Sequence, residues 1–125
     1  MEQEFNKVMK ELTYNDVLCH MNKWWWGESI DIIRKDGLGA ICVKFDKQYP
    51  TTAFFCDLTV FELTRRQGIG TELMNHAHAV ARKFGKLYAQ LDVDKENQWL
   101  IDWYKDWGFD VLCTGEHEIT MIKYL

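Results

Sequence analysis

Apolar positions recur at two different periods along the chain. Leu73, Ala77, Val80, Ala81 and Phe84 fall at helical spacing and Gly85 follows as a stop, so residues 71–84 predict an amphipathic helix. Leu87, Ala89, Leu91 and Val93 then alternate with Tyr88, Gln90 and Asp92, the two-residue period of a strand. Asn97 can cap a second helix over 98–107, which Gly108 ends. Residues 109–113 and 118–124 predict two closing strands around Thr114-Gly115. Upstream, 52–60 is a nearly continuous apolar run, as expected of a strand buried on both faces. Residues 29–34 and 40–45 predict a hairpin turned at Lys35-Asp36-Gly37. The first third is less regular. Residues 5–12 fit a strand or a short helix, Thr13 caps a predicted helix over 14–23, and 24–27 reads as a helix end or loop.

This order of elements predicts an α/β layer fold with a mixed sheet. A length of 125 residues, with no repeat and no linker, predicts one domain over 1–125. The hydrophobic share of 47% and charged share of 27% exclude wholesale disorder. No apolar run reaches the roughly 18 residues of a membrane span, and the N-terminus lacks a signal-peptide layout, so a cytoplasmic protein without membrane contact is expected. Fifteen basic and nineteen acidic residues leave a net charge of −4. That balance argues against nucleic acid as a partner. It suits both plain solubility and cationic substrates such as amines. The four cysteines form no CxxC pair and are expected as free thiols, Cys56 as a small core residue. His76 and His78, two apart on a helix, diverge, and no metal site is expected.

The candidate chemistry lies between residues 58 and 71. A buried strand runs into a short loop with Arg65, Arg66, Gln67, Gly68 and Gly70, and a helix starts at once. Glycines let a backbone approach a ligand, and the first amides of a helix have no intrahelical partner, so the segment can cradle an anion. It contains neither a dinucleotide fingerprint nor a P-loop.

The stretch RRQGIGTEL resembles motif A of the GNAT superfamily of N-acetyltransferases, with its [RQ]-x-x-G-x-[GA] pattern. Residues 97–109, NQWLIDWYKDWGF, are similar to that family's N-x-x-A-x-x-[FL]-Y-x-x-x-G-F segment, with Leu100 where the family has Ala. The resemblance covers residues 53–125. It implies a mostly antiparallel mixed sheet with helices on both faces, acetyl-CoA as cosubstrate, and transfer of acetyl to an amine. It further implies that main-chain groups near Leu58 and Val60 pair with the pantetheine arm. The amides of Gln67, Gly68, Ile69, Gly70 and Thr71, with Arg65 and Arg66, would hold the pyrophosphate. Asn97 would touch the pantetheine, and Tyr104 would protonate the departing thiolate.

Such a transfer needs a neutral amine, and a lysine-type amine with a pKa of about 10.4 is charged at pH 7. Asp57, Asp92 and Glu62 are candidate bases by position, with Asp57 or Asp92 preferred because adjoining strands would splay around the thioester. Trp24, Trp25 and Trp26 fall in the first third, expected as the acceptor-side wall; they fit either an aromatic rim or ordinary burial of two of the three. The acceptor is either a small amine or a protein amine, and a second subunit in a homodimer could complete its pocket. A non-catalytic coenzyme-binding or protein-interaction module is the rival reading.

Overall fold

Strand alternation, rather than helical spacing, governs the first described residues. In a computed structural model describing residues 17–61 and 68–125, β1 (Val17–Trp24) turns Val17, Cys19 and Met21 to the core while Leu18, His20 and Asn22 face away. The expected helix over 14–23 is therefore corrected to a strand for its described part. Full antiparallel pairing with β2 (Gly27–Arg34), from Val17–Arg34 to Trp24–Gly27, outweighs the local helical propensity. The expected elements over 5–12 and the Thr13 cap lie outside the described residues. Trp24 ends β1, and Trp25 and Trp26 form the turn into β2.

The remaining elements are β3 (Gly39–Asp46), β4 (Thr52–Val60), α1 (Ile69–Lys83), β5 (Tyr88–Asp94), α2 (Gln98–Asp106), β6 (Asp110–Thr114) and β7 (Glu118–Tyr124). The predicted hairpin, the two helices and the closing strands all appear, with ends shifted by one or two residues. Seven strands form one sheet in the order β1-β2-β3-β4-β5-β7-β6. Every pairing is antiparallel except β4 with β5.

Both helices of the described residues pack on one face of this sheet. Ile30, Ile32, Ile41, Val43, Phe55 and Leu91 are buried there beneath Leu73, Met74, Ala77 and Ile101 of the helices. The other half of the expected layering, helices on the second face, falls outside the described residues. The β4 expectation also changes. Ala53 and Phe55 are buried, whereas Thr52, Phe54 and Cys56, which alternate with them, are only half-buried, so this strand is fully buried on one face only. Arg34, at the end of β2, bonds to both Asp36 in the hairpin turn and Glu72 in the first turn of α1, tying the start of the helix to the sheet.

The helix face closes around His78. Its ring stacks on Trp107 at 5.2 Å and meets Phe55 and Phe109 edge-on. One ring nitrogen, Nδ1, donates to the Met74 carbonyl at 2.7 Å, which leaves Nε2 to accept from the Lys123 ammonium at 2.9 Å. Burial, helped by the Lys123 and Arg82 charges, pushes the His78 pKa down to about 4, so the ring is neutral in the folded chain. Unfolded, it titrates near 6.5. Below that value the unfolded state binds a proton the native state refuses, so stability is full above about pH 6.5 and falls as pH is lowered toward 4. Urea denaturation between pH 4.5 and 7.5 should show this slope, and His78→Phe should flatten it.

Candidate active site

Helix α1 begins without a side-chain cap. Gly68, at φ 76°, takes the left-handed conformation before Ile69, and the first intrahelical bond runs from the Glu72 N–H to the Gly68 carbonyl at 3.0 Å. The N–H groups of Ile69, Gly70 and Thr71 therefore have no intrahelical acceptor and carry the positive end of the helix dipole. Arg65, Arg66 and Gln67, expected beside them, lie outside the described residues, as does Glu62. A cleft of about 530 Å³ opens at this helix start, lined by Leu58, Val60, Gly68, Gly70, Thr71 and Asn97, together with Trp99 and Trp103. Six of the ten residues expected to bind the cofactor thus converge on one cleft; Ile69 is instead buried in the core, so only its amide is available.

The opposite wall is α2. Asn97 caps it by accepting from the Leu100 N–H at 3.2 Å. Trp99 stacks on Trp103 with ring planes 9° apart, and the Trp103 ring reaches across to α1. A β-carbon on Gly70 would sit 3.5 and 3.6 Å from two Trp103 ring carbons and 3.8 Å from Val60. The sequence singled out neither Trp99 nor Trp103, although their spacing of four with Asn97 at the helix start placed both on one face.

Between cleft and sheet lies a smaller chamber of about 210 Å³, sharing Leu58, Asn97 and Leu100 with the cleft. Tyr104, Asp57 and Asp92 all line it. It exists because β4 and β5 pair only through Thr52–Tyr88, Ala53–Ala89 and Phe54–Gln90. Beyond that point a register shift in the β3–β4 ladder, between Ala40 and Cys42, and a left-handed backbone at Asp57 (φ 56°) bend β4 away. Burial pushes the Tyr104 pKa up to about 12. Asp92 accepts a 2.6 Å bond from the Thr120 hydroxyl.

A second cavity, of about 490 Å³, borders the chamber at the second face of the sheet. It shares Phe55, Cys56, Asp57, Leu91 and Asp92 with the chamber and adds Trp24, Lys44, Asp46, Tyr49, Phe54 and Gln90. Of the three tryptophans only Trp24 lines this cavity. Trp25 is 82% exposed and Trp26 48%, so the alternative of two buried tryptophans does not hold, and of the expected rim only Trp24 borders the cavity. Cys56 is likewise half-buried at both cavities rather than in the core. The sequence missed Lys44 and Gln90, although alternation along β3 and β5 places them on one face with Asp46 and Asp92.

The model of the Acetyltransferase (GNAT) family matches residues 3–109. This chain belongs to that family. As a GNAT member it is an acetyl-CoA-dependent N-acetyltransferase, as the resemblance of its two motifs implied. N-alpha-acetyltransferase 50 from Danio rerio is 26% identical over 127 residues, covering 97% of this chain and 74% of that protein. The PaiA N-acetyltransferase of Thermoplasma acidophilum, solved with coenzyme A, superposes with a TM-score of 0.68 at 20% identity, over 98% of this chain and 68% of that one. Ard1 from Thermoplasma volcanium gives 0.66 at 24%, over 78% and 70%. These similarities show the fold. Among the described residues no three metal-ligating side chains gather, and no helix is long and apolar enough to cross a membrane.

The GNAT cosubstrate fits what the cleft offers. Acyclic amides can pair with strand groups of β4 that β5 leaves free, and a diphosphate suits uncapped helix amides beside a glycine. Alanine at Gly70 makes only ordinary contacts, while a longer side chain must displace Trp103 or enter the cleft. Gly70→Ala should keep acetyl-CoA affinity within about threefold, and Gly70→Leu should lower it at least about tenfold, roughly 1.4 kcal/mol, by titration calorimetry. Unchanged circular dichroism would confirm intact folding.

Proposed function

We propose that this GNAT protein passes acetyl directly from acetyl-CoA to a primary amine within a ternary complex. The observation that carries this reading is the series of neighbouring cavities with shared lining residues, from the helix-face cleft, by way of Tyr104, Asp57 and Asp92, to the second-face cavity. Two substrates entering from opposite faces meet in the chamber, so no covalent relay on the protein is needed. In this reading residues 53–125 supply the acetyl-CoA side and the first third supplies the acceptor wall, with Trp24 as its contributing tryptophan.

The amides of Gly68, Ile69, Gly70 and Thr71 hold the diphosphate, the main chain at Leu58 and Val60 pairs with the pantetheine, and Asn97 borders it. Bound acetyl-CoA supplies an activated thioester. Asp57 and Asp92, one on each splayed strand, flank the path of the incoming amine and take its proton directly or through water. An acidic, partly aromatic entrance favours a cationic amine. The acceptor is a small amine or the amine of a protein.

Tyr104 holds its proton firmly. With a pKa of about 12 against about 8.5 for a thiol, full transfer to a departing thiolate is uphill by roughly 3.5 units, so the hydroxyl acts by hydrogen-bonding the sulfur as charge develops. Removing one hydrogen bond to a charged group costs about 1.5–3 kcal/mol. Tyr104→Phe should therefore lower kcat roughly 10- to 100-fold while KM for acetyl-CoA stays within a few-fold. The wild-type rate profile should show no Tyr104 ionisation below pH 10. Thiol release measured across a panel of amines tests the activity itself; release with no amine would refute the assignment. An unchanged kcat in Tyr104→Phe would remove Tyr104 from the mechanism.

A further inference from the structure

The second-face cavity carries a set of hydrogen-bond donors that the transfer chemistry does not use. Lys44, Phe54 and Gln90 form one rung across three strands, through the pairs Lys44–Phe54 and Phe54–Gln90. The Lys44 ammonium sits 5.7 Å from the centre of the Trp24 ring. The Trp24 Nε1–H is buried and meets no acceptor among the described residues. Lys44 and Gln90 make no ion pair or side-chain hydrogen bond among them either. Buried donors are rarely left unpaired in native proteins, and an unmade bond on one is costly. The buried indole donor of Trp24, with the exposed Lys44 ammonium and the half-buried Gln90 amide beside it at one cavity, calls for an oxygen acceptor on the ligand. Asp92 lies two residues beyond Gln90 on β5, and Cys56 two residues beyond Phe54 on β4, so the donor rung stands about 7 Å from the rung at the chamber mouth.

We propose that Trp24, Lys44 and Gln90 form an acceptor subsite that takes a carbonyl or carboxylate oxygen about 7 Å from the amine that is acetylated. The inference rests on the acceptor entering by the second face, as read above. The substrate class is then an amine with an acyl oxygen six bonds away, as in the second residue of a peptide N-terminus or in an ω-amino acid, rather than a plain alkylamine. The carboxylates at the inner end, Asp57 and Asp92, receive the ammonium. At the other end, where Asp46 also lines the cavity, the Lys44 ammonium receives the oxygen. A diamine would set its second cation against Lys44.

Titration calorimetry on the full chain saturated with coenzyme A tests this without requiring turnover. The probes are 5-aminopentanoate, glycylglycinamide, n-pentylamine and 1,5-diaminopentane. At least one of the first two should bind about tenfold or more tighter than pentylamine, a difference of about 1.4 kcal/mol. Tighter glycylglycinamide would identify a peptide carbonyl, and tighter 5-aminopentanoate a carboxylate. Trp24→Phe, which keeps the ring and removes the donor, and Lys44→Met should each erase most of that advantage, with coenzyme A affinity as the check on folding. Equal affinities, tighter binding of the diamine, or an advantage that survives both substitutions would overturn the subsite. Failure of the acetyltransferase reading would show separately, as no thiol release with any amine although these affinities are measurable.

Discussion

The parallel pairing of β4 with β5 holds for three rungs and then stops, and the site exists because of that stop. A strand whose neighbour departs leaves N–H and C=O groups unmatched along one edge. Here the edge lies inside the sheet, where an extended amide chain can take the place of the missing strand. The interruption is built rather than accidental. Asp57 adopts a left-handed backbone without being glycine, a conformation that is strained for a side-chain-bearing residue and persists only where its surroundings enforce it. The neighbouring ladders supply that enforcement. β3 continues to pair with β4 past the shifted register, and β7 pairs with all of β5 from Tyr88 to Asp94. Each splayed strand is thus anchored on its far side, and the gap stays open without loosening the sheet.

The helix face and the second face divide the work. On the first, α1 and α2 bury an apolar layer from Val17 to Met121 and bring an uncapped helix start to the open edge of β4. The helix that packs the core also presents the uncapped start, so a rigid core holds the amides of Gly70 and Thr71 at fixed positions. The second face, over the described residues, is polar and carries Trp24, Lys44, Gln90 and Asp92 around a cavity. Sheet alternation makes this division unavoidable. Side chains of β4 and β5 that do not face the helices must face the acceptor side, and the gap lies between the two.

What the sequence revealed followed from how local each cause is. Helix α1, helix α2 and strands β5 and β7 show their periods within about ten residues, and the glycines and Asn97 mark their ends, so these elements were legible. The glycines at 68 and 70 suggested an anion cradle at the start of α1 for the same reason. The first strand was not. Val17, Leu18 and Met21 also fit one side of a helix, and only the eight-residue ladder to β2, a non-local contact, decides the matter. The break between β4 and β5 was equally hidden. Residues 52–60 read as an unbroken apolar strand, and the departure at Asp57 depends on the neighbouring strands rather than on its own sequence. Asp57 and Asp92 nevertheless both line the chamber, because adjacent parallel strands flanking a helix fix which ends lie together.

The same reasoning explains why the two substrates are read so unequally from sequence. The anion cradle depends on main-chain amides, so its signature is glycine spacing, which is contiguous and recognisable. The second-face cavity gathers Trp24, Lys44, Phe54, Gln90 and Glu118 from five strands, one from each. No window of sequence contains that set, and each member alone is an ordinary strand residue. Register converts them into a pattern: Lys44, Phe54 and Gln90 become neighbours only once three strands are aligned. A single-residue slip of β3 would send Lys44 into the core face and bring Val43 to the cavity. The choice of acceptor is therefore held by the strand ladders, and the packing of Ile41, Val43 and Phe45 beneath α1 is what keeps those ladders in step.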